Sequence, residues 1–414
     1  MHPPADDPSL DPRRRALLRQ AAALPLVAAG TRLFAAAPGL PRLLMVFLRG
    51  ACDMASVLVP TGSDDYLAVR PRIAIARPGS GPEAALALPG LGADWGLAPA
   101  LADSLAPRIE RGELAFVPFA GTHDLSRSHF ETQEHIERGQ PDDASGAARD
   151  FRSGFLNRLA EVVGAGRDDT IALTRELPLI LRGRVAVPNL QLAALRPGRG
   201  DERRDALLRR LYQGTALAGS VDDGLAARHA AQQALDAGME AAGRDAITAR
   251  GFEGEARRIA RLMQARWRLG FIDIGGWDTH VNQGGASGAL ATRLGELGRG
   301  LAAFADELGP ATWHDTVVVV LSEFGRTFRE NGSRGTDHGH GTTYLVLGGA
   351  VRGGRVVGEQ VPVSLATLHQ GRDWPVLNEY RQVLGGLFRR LYGLDEAQLD
   401  RVFAGVRGTD LGLI

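Results

Sequence analysis

The chain has 414 residues, of which 44% are hydrophobic, so it is long enough to enclose one large core or two smaller ones. Acidic and basic residues balance at 48 each, and no excess charge indicates nucleic acid or an anionic membrane surface as a partner. The single cysteine, Cys52, excludes an intramolecular disulfide.

The first 40 residues have the pattern of an export signal. The segment Arg13–Arg19 carries paired arginines before two leucines, and the weakly apolar stretch Ala21–Gly30 follows. This resembles a twin-arginine signal, which directs folded proteins to the twin-arginine export machinery. The stretch is too short, and too broken by Pro25, for a stable membrane span. We therefore predict a signal segment over residues 1–40 and one periplasmic or otherwise exported domain over residues 41–414.

From Pro41 onward, apolar runs alternate with amphipathic stretches, which is typical of an α/β fold. The predicted strands are Leu43–Leu48, Leu114–Phe119, Leu269–Ile274, Thr316–Leu321 and Tyr344–Leu347. Apolar residues at helical spacing predict helices over residues 97–110 and 288–308, with Gly309-Pro310 ending the second. Further helices are predicted over residues 130–138 and, as the closing helix, within residues 373–394. Residues 200–268 are dense in Ala, Arg, Glu and Gln, and we predict a mostly helical insertion there.

Carboxylates and imidazoles follow three of these strands directly and precede a fourth. The candidate metal ligands are Asp53, Asp278, His280, Glu323, Asp337, His338 and His340. Because ligands bind outside the carboxyl ends of strands in an open α/β sheet, such loops can converge on one site. Asp, Glu and His delivered together to one crevice are what a divalent metal needs.

Two of these carboxylates have structural alternatives. Asp53 stands at a strand-to-helix turn, where Asp is a common helix N-cap. Glu323 follows a buried-looking strand and could form a simple ion pair with Arg326, three residues on. Arg326 could equally bind an anionic substrate, since its planar guanidinium suits phosphate or sulfate.

A further candidate segment follows the strand Leu114–Phe119. Ser126, Arg127, Ser128 and His129 stand at the start of the predicted helix over residues 130–138. A helix N-terminus stabilises negative charge, so Ser126 or Ser128 is a candidate nucleophile with Arg127 or His129 beside it. Ordinary N-capping by either serine is the alternative.

Several motifs together resemble a bacterial family, domain of unknown function DUF1501, which is usually placed with the sulfatases in the alkaline phosphatase superfamily. The similar pieces are Phe47–Gly50 with Asp53, Ser126–Phe130, Trp277–His280, Ser322–Thr327, Gly335–His340 and Gly371-Arg372-Asp373. The resemblance implies a three-layer sandwich, in which helices cover both faces of a central, mostly parallel sheet. It also implies one or two divalent cations (zinc, manganese or calcium), with Asp53 as the first-strand ligand. Ala98 and Cys52 depart from the residues common in the family.

The first hypothesis for function is an exported metal-dependent hydrolase that acts on a small phosphate or sulfate ester. The seven candidate ligands would hold the cation, Ser126 or Ser128 would attack, and Arg127 or Arg326 would balance charge on the transferred group. The alternative is a non-catalytic periplasmic binding or assembly protein that retains the fold, which the departures at Ala98 and Cys52 favour.

Overall fold

A computed structural model describes residues 39–141, 152–190, 202–226 and 251–414. Residues 1–38 of the predicted signal segment lie outside this description. From Leu40 to Ile414 the chain forms one compact unit. Among the described helices, none has the length and apolar character needed to cross a membrane.

The structure is organised around one eight-stranded sheet. The sheet contains the strands β1 (Arg42–Arg49), β4 (Leu114–Gly121), β5 (Thr170–Ala172), β6 (Leu269–Gly275), β7 (Thr316–Ser322), β8 (Thr342–Gly348), β9 (Arg355–Val356) and β10 (Asn378–Glu379). The strands β2 (Leu58–Val59) and β3 (Gly96–Leu97) form a separate two-stranded sheet. The order across the sheet is β10-β4-β8-β7-β1-β6-β5, with β9 also paired to β4.

Strand direction explains an irregularity in the sequence pattern. Strands β5, β6, β1 and β7 are parallel, whereas β8 is antiparallel to both β7 and β4. The amino end of β8 therefore lies at the same edge as the carboxyl ends of β1, β4, β6 and β7. This is why the His-rich segment Gly335–Gly341 precedes its strand while the other polar loops follow theirs. The predicted α/β class with a mostly parallel sheet is confirmed.

Both faces of the sheet are covered, because successive side chains of a strand point to opposite sides. In β1, Leu44, Val46 and Leu48 belong to one core, and Leu43, Met45 and Phe47 belong to the other. The first core packs against the helices Ala102–Glu110, Phe252–Ala265 and Ala289–His314, and the second against Phe155–Val163, Tyr380–Tyr392 and Glu396–Val402. Burial on both faces accounts for the nearly continuous apolar runs in the sequence.

Some helix boundaries differ from the predictions. The first predicted helix begins at Ala102 rather than Leu97, because Gly96–Leu97 pairs with β2 and Pro99–Leu101 forms a 3₁₀ turn. Gly309-Pro310 ends the first part of the long helix as predicted, because Gly309 has a non-helical backbone conformation (φ 69°, ψ 164°), and a second short helical segment follows it to His314. In the predicted insertion, Glu202–Tyr212 and Phe252–Ala265 are helical, and residues 227–250 lie outside the described part of the chain.

Candidate metal centre

Four side chains meet at the carboxyl edge of the sheet. One ligand atom each from His129, Asp278 and His338 lie within 4.8 Å of one another. His280 adjoins two of them, with its Nε2 atom 2.8 Å from Asp278 Oδ1 and 3.2 Å from His338 Nε2. His129 is the first residue of the helix His129–Arg138, while the others lie on the loops after β6 and before β8.

The spacing of these atoms suits a shared cation. His338 Nε2 lies 3.3 Å from Asp278 Oδ1, and His129 Nε2 lies 3.5 Å from Asp278 Oδ2. Donor atoms bound tetrahedrally to one ion at roughly 2.0–2.2 Å stand about 3.3–3.6 Å apart. The Asp278 and His280 side chains are 42% and 39% exposed, so the centre is open to solvent on one side.

Each imidazole is oriented by an acceptor behind it. The Nδ1 atoms contact Glu323 Oε1 for His129 (2.8 Å), Asp337 Oδ1 for His280 (3.0 Å) and the carbonyl oxygen of Arg127 for His338 (2.9 Å). Carboxylate and carbonyl oxygens accept hydrogen bonds, so each Nδ1 atom carries the proton and donates. A ring that donates from Nδ1 has its Nε2 atom available as a metal ligand, and the three Nε2 atoms lie 2.8–3.5 Å from the oxygens of Asp278. Metal-binding histidines are held in this manner.

Glu323 lies behind His129 rather than among the ligands. Its side chain has no exposed surface, and its Oε1 atom also accepts from the Gly50 amide and from Gln133 Nε2, both at 2.8 Å. Its Oε2 atom accepts from the Ser322 hydroxyl at 2.9 Å. Burial acts to raise the pKa of Glu323, but the hydrogen bonds from His129 and Gln133 outweigh it and lower that pKa. The expectation that Glu323 binds the metal is corrected, because both oxygens are occupied by the protein.

Asp278 is paired with Arg326. The guanidinium donates to Asp278 Oδ1 at 2.6 Å and to Thr336 Oγ1 at 3.1 Å, and it has no exposed surface. Partial burial acts to raise the pKa of Asp278, but the hydrogen bond from Arg326 outweighs it and lowers the pKa, so the carboxylate form is favoured. This corrects two expectations for Arg326, which neither pairs with Glu323 nor remains free for a substrate anion.

Asp53 is buried away from this group. Arg70 donates to its two oxygens at 2.6 and 3.1 Å, and Gln283 and Ser56 also donate to Oδ2. Burial acts to raise the pKa of Asp53, and the charge of Arg70 lowers it below the usual range. Asp53 makes no N-cap hydrogen bond to the 3₁₀ turn Met54–Ser56. Both expectations for Asp53, as metal ligand and as cap, are therefore corrected.

Comparison with protein families bears on the chain as a whole. Residues 41–403 match the model of the family described as Protein of unknown function (DUF1501). The chain belongs to this family. No functionally curated protein matches this DUF1501 protein, and four chains of known structure do match. One is described as the crystal structure of Ps i-CgsB in complex with k-i-k-neocarrahexaose. It is 12% identical, covers 90% of this chain and 75% of its own, and has a TM-score of 0.35. That value is too low to carry an argument.

In this DUF1501 protein, neighbouring candidates in one segment have different roles. His338 joins the centre, and Asp337 holds His280 in place. His340 lies elsewhere, with its ring centroid 4.9 Å from that of His369. Its side chain is 4% exposed, and burial lowers the pKa of His340 to about 4. The expectation that His340 binds the same ion is corrected.

The serine segment contributes differently from the prediction. The Ser128 hydroxyl accepts from the Glu131 amide at 3.4 Å, so Ser128 is the helix N-cap that the alternative hypothesis described. The Ser126 hydroxyl donates to Asp124 Oδ2 at 2.8 Å. Arg127 supplies the carbonyl that holds His338, and its side chain donates to Asp373 at 2.9 Å. His129, expected beside the nucleophile, is one of the clustered ligand candidates instead.

Gln133 is a functional candidate that the sequence analysis missed. Its Nε2 atom donates to Glu323, and its Oε1 atom accepts from Arg49 Nη1 at 2.8 Å, which determines how the amide faces. The sequence could have indicated Gln133, because residues four positions apart on a helix lie on the same face and Gln133 is four residues after His129. Asn331, which donates to Asp337 at 3.0 Å, had no comparable signal.

Proposed function

We propose that this DUF1501 protein is an exported, metal-dependent hydrolase of phosphate or sulfate esters. The observation that carries the proposal is the set of imidazoles at the candidate centre. His129, His280 and His338 are each held at Nδ1 by an acceptor and turn Nε2 towards Asp278. The ester class is what the usual placement of this family with the sulfatases implies, and export is what the twin-arginine pattern implies.

The donor set favours some cations over others. Three imidazole nitrogens and one carboxylate suit zinc, and manganese is the next choice among the expected metals. Calcium prefers six to eight oxygen ligands, so it fits this set poorly. Within the described ranges, one group of mutually close candidate ligands is found, formed by His129, Asp278 and His338 with His280 beside it, which supports one ion rather than two.

The protein's own part in the reaction is to hold the donors rigidly and leave one side open. A bound divalent cation would polarise the ester oxygen and lower the pKa of an attacking water. Phe324 stacks on His129, with ring centroids 5.1 Å apart, and also contacts the ring of His338, so it helps to hold two of the imidazoles. Because Ser128 caps a helix and Ser126 is bonded to Asp124, the geometry supports water rather than a serine as the nucleophile.

The metal is tested first, by measuring the content of purified protein with mass spectrometry. We expect about one zinc or manganese ion per chain, which falls close to zero in Asp278→Ala and His338→Ala. His314→Ala is the matched control, because His314 is exposed at the end of a helix and should leave the content unchanged. A wild-type protein that binds no divalent metal would overturn the proposal.

The reaction is tested by screening aryl phosphates, phosphodiesters and aryl sulfates with each metal. We expect turnover that disappears in Asp278→Ala but persists in Ser126→Ala and Ser128→Ala. A specific observation favours the alternative, a binding protein: Arg326 and Arg127, the two side chains expected to balance charge on the transferred group, are both engaged by protein carboxylates. Stoichiometric metal with no turnover of any ester would support that alternative.

A further inference from the structure

His338 is held by two arginines. Its Nδ1 atom donates to the carbonyl oxygen of Arg127 at 2.9 Å, and its own carbonyl oxygen accepts from Arg372 Nη2 at 2.8 Å. Arg127 immediately precedes the helix capped by Ser128, whereas Arg372 lies in the turn over residues 369–373. One candidate ligand is therefore restrained through its ring and through its backbone by two distant segments.

The side chains of Arg127 and Arg372 donate hydrogen bonds to the same carboxylate oxygen of Asp373. Asp373 Oδ2 accepts from Arg127 Nη2 at 2.9 Å and from Arg372 Nη1 at 3.0 Å. The Asp373 side chain has no exposed surface. Burial raises the pKa of Asp373, and the two guanidinium groups oppose that shift. A carboxylate buried this completely is stable only when it is paired, and here the pairing partners are the two residues that restrain His338.

The backbone of Arg127 needs such a restraint. Its φ is 52°, in the left-handed region, which costs free energy for a residue with a Cβ atom. That conformation directs its carbonyl at His338, and its side chain is fixed by Asp373 and by Gln370 Oε1 at 3.0 Å. The turn beneath is closed by backbone hydrogen bonds between His369 and Asp373 in both directions.

We propose that Asp373 is a positioning residue for the candidate metal centre: by holding Arg127 and Arg372 together, it sets the orientation of His338. The inference rests on the proposed function and extends it to a residue that does not touch the ion. It also assigns a role to the motif Gly371-Arg372-Asp373, which the sequence hypotheses left without one.

The test uses Asp373→Asn in the full chain loaded with cobalt(II), whose visible absorption reports ligand number. An amide of the same shape carries no negative charge and accepts more weakly from two guanidinium groups, so we expect cobalt affinity to fall about 10–100-fold. The absorption bands should also shift as His338 loses its orientation, a change that general destabilisation would not produce. Asp410→Asn is the matched control, because Asp410 pairs with Arg390 on the exposed surface and should change neither quantity.

A second variant guards against misfolding of the first. Arg127→Ala keeps the carbonyl that faces His338 and removes a side chain that is 27% exposed, and it should weaken cobalt binding similarly. The double variant should lose less than the product of the two single losses, because both substitutions act through one contact. A full product would contradict the proposal.

The outcomes separate this inference from the proposed function. If the wild-type protein binds no cobalt, the metal centre itself is wrong and the role of Asp373 falls with it. If the wild type binds cobalt and Asp373→Asn matches it in affinity and spectrum, the positioning role alone is wrong.

Discussion

Glu323 is a buried side chain that holds the candidate ligand His129 at Nδ1 and does not contact its Nε2 atom, which would bind the metal. It has no exposed surface, and it accepts hydrogen bonds from the Gly50 amide, from Gln133 and from His129. The hydrogen bond to Glu323 raises the pKa of His129, which means that the ring becomes a stronger base. A stronger base is also a better metal ligand, so Glu323 should matter for affinity.

We expect Glu323→Gln to weaken zinc binding about 10–100-fold while the protein remains folded. The neutral amide still fits the space but is a weaker acceptor for the His129 Nδ1–H group. Competition with a chromophoric chelator measures the affinity, and thermal unfolding checks the fold. Glu113→Gln, at a carboxylate bonded to Arg108, is the control. Equal affinity in Glu323→Gln would mean that this carboxylate does not support the ligand.

Ser128 tests whether the serine segment is structural. Its hydroxyl accepts from the Glu131 amide at the start of the helix His129–Arg138. We expect Ser128→Ala to lower the free energy of unfolding by about 1 kcal/mol, the usual cost of losing an N-cap, and to retain the metal. Urea denaturation and metal content measure the two effects. Loss of turnover in Ser128→Ala with full metal content would instead indicate a nucleophile.

At the scale of elements, the centre depends on how two loops pair outside the sheet. The Gly325 amide donates to the His340 carbonyl, and the Gly339 amide donates to the Gly325 carbonyl, both at 2.8 Å. These bonds join the loop after β7 to the segment before β8. They bring Arg326 and His338 into the same place, as the isolated bridge between those two residues shows.

We expect Gly325→Ala to disrupt this pairing. A Cβ atom there would stand 1.9 Å from the Gly341 carbonyl oxygen, so the two loops must move apart. The free energy of unfolding should fall by about 1–3 kcal/mol, as for other overpacked sites, and bound metal should decrease. Gly332→Ala is the matched control in the same region, because its Cβ atom would meet no atom within 4 Å. A normal metal content in Gly325→Ala would show that the pairing is not needed.

At the scale of the whole molecule, Asp53 and Arg70 form a buried pair that joins distant segments. Arg70 donates to Asp53 and also to the backbone carbonyls of Phe328 and Thr327. Gln283 donates to the same carboxylate from 230 positions away along the chain. A buried carboxylate left without its partner is costly, so the pair ties the loop after β1 to the loop after β7.

We expect Arg70→Met to lower the free energy of unfolding at pH 7 by about 3–5 kcal/mol, because it leaves Asp53 buried and unpaired. The pKa of Asp53 is lowered in the folded protein, so its contribution is present above its unfolded pKa of about 3.9 and is lost as the pH falls through the folded value. As the pH falls below about 4, the free energy of unfolding should therefore decrease less in the double variant Asp53→Asn with Arg70→Met than in the wild type. Urea denaturation at pH 7 measures the loss in Arg70→Met, and urea denaturation at pH 7 and pH 3 measures the pH dependence of the double variant and the wild type. Equal losses in the two proteins would contradict this role, and Arg390→Ala at an exposed pair is the control.

Local pattern was enough to locate most of the architecture. The five predicted strands correspond to β1, β4, β6, β7 and β8, because strands buried on both faces must be apolar throughout. The polar loops at their ends were visible for the same reason, since carboxylates and imidazoles stand out beside such runs. Asp278, His280 and His338 were named from this contrast, and the structure brings them together.

Which of the named side chains share a centre was decided by contacts between segments far apart in the chain. His338 and His340 are the same residue type two positions apart, yet one faces Asp278 and the other packs on His369. The sequence indicated Asp53 as a ligand, but in the structure Arg70 and Gln283 donate hydrogen bonds to its carboxylate. Residue type and spacing are local properties, whereas the partner of each polar group depends on how the sheet and its loops fold together.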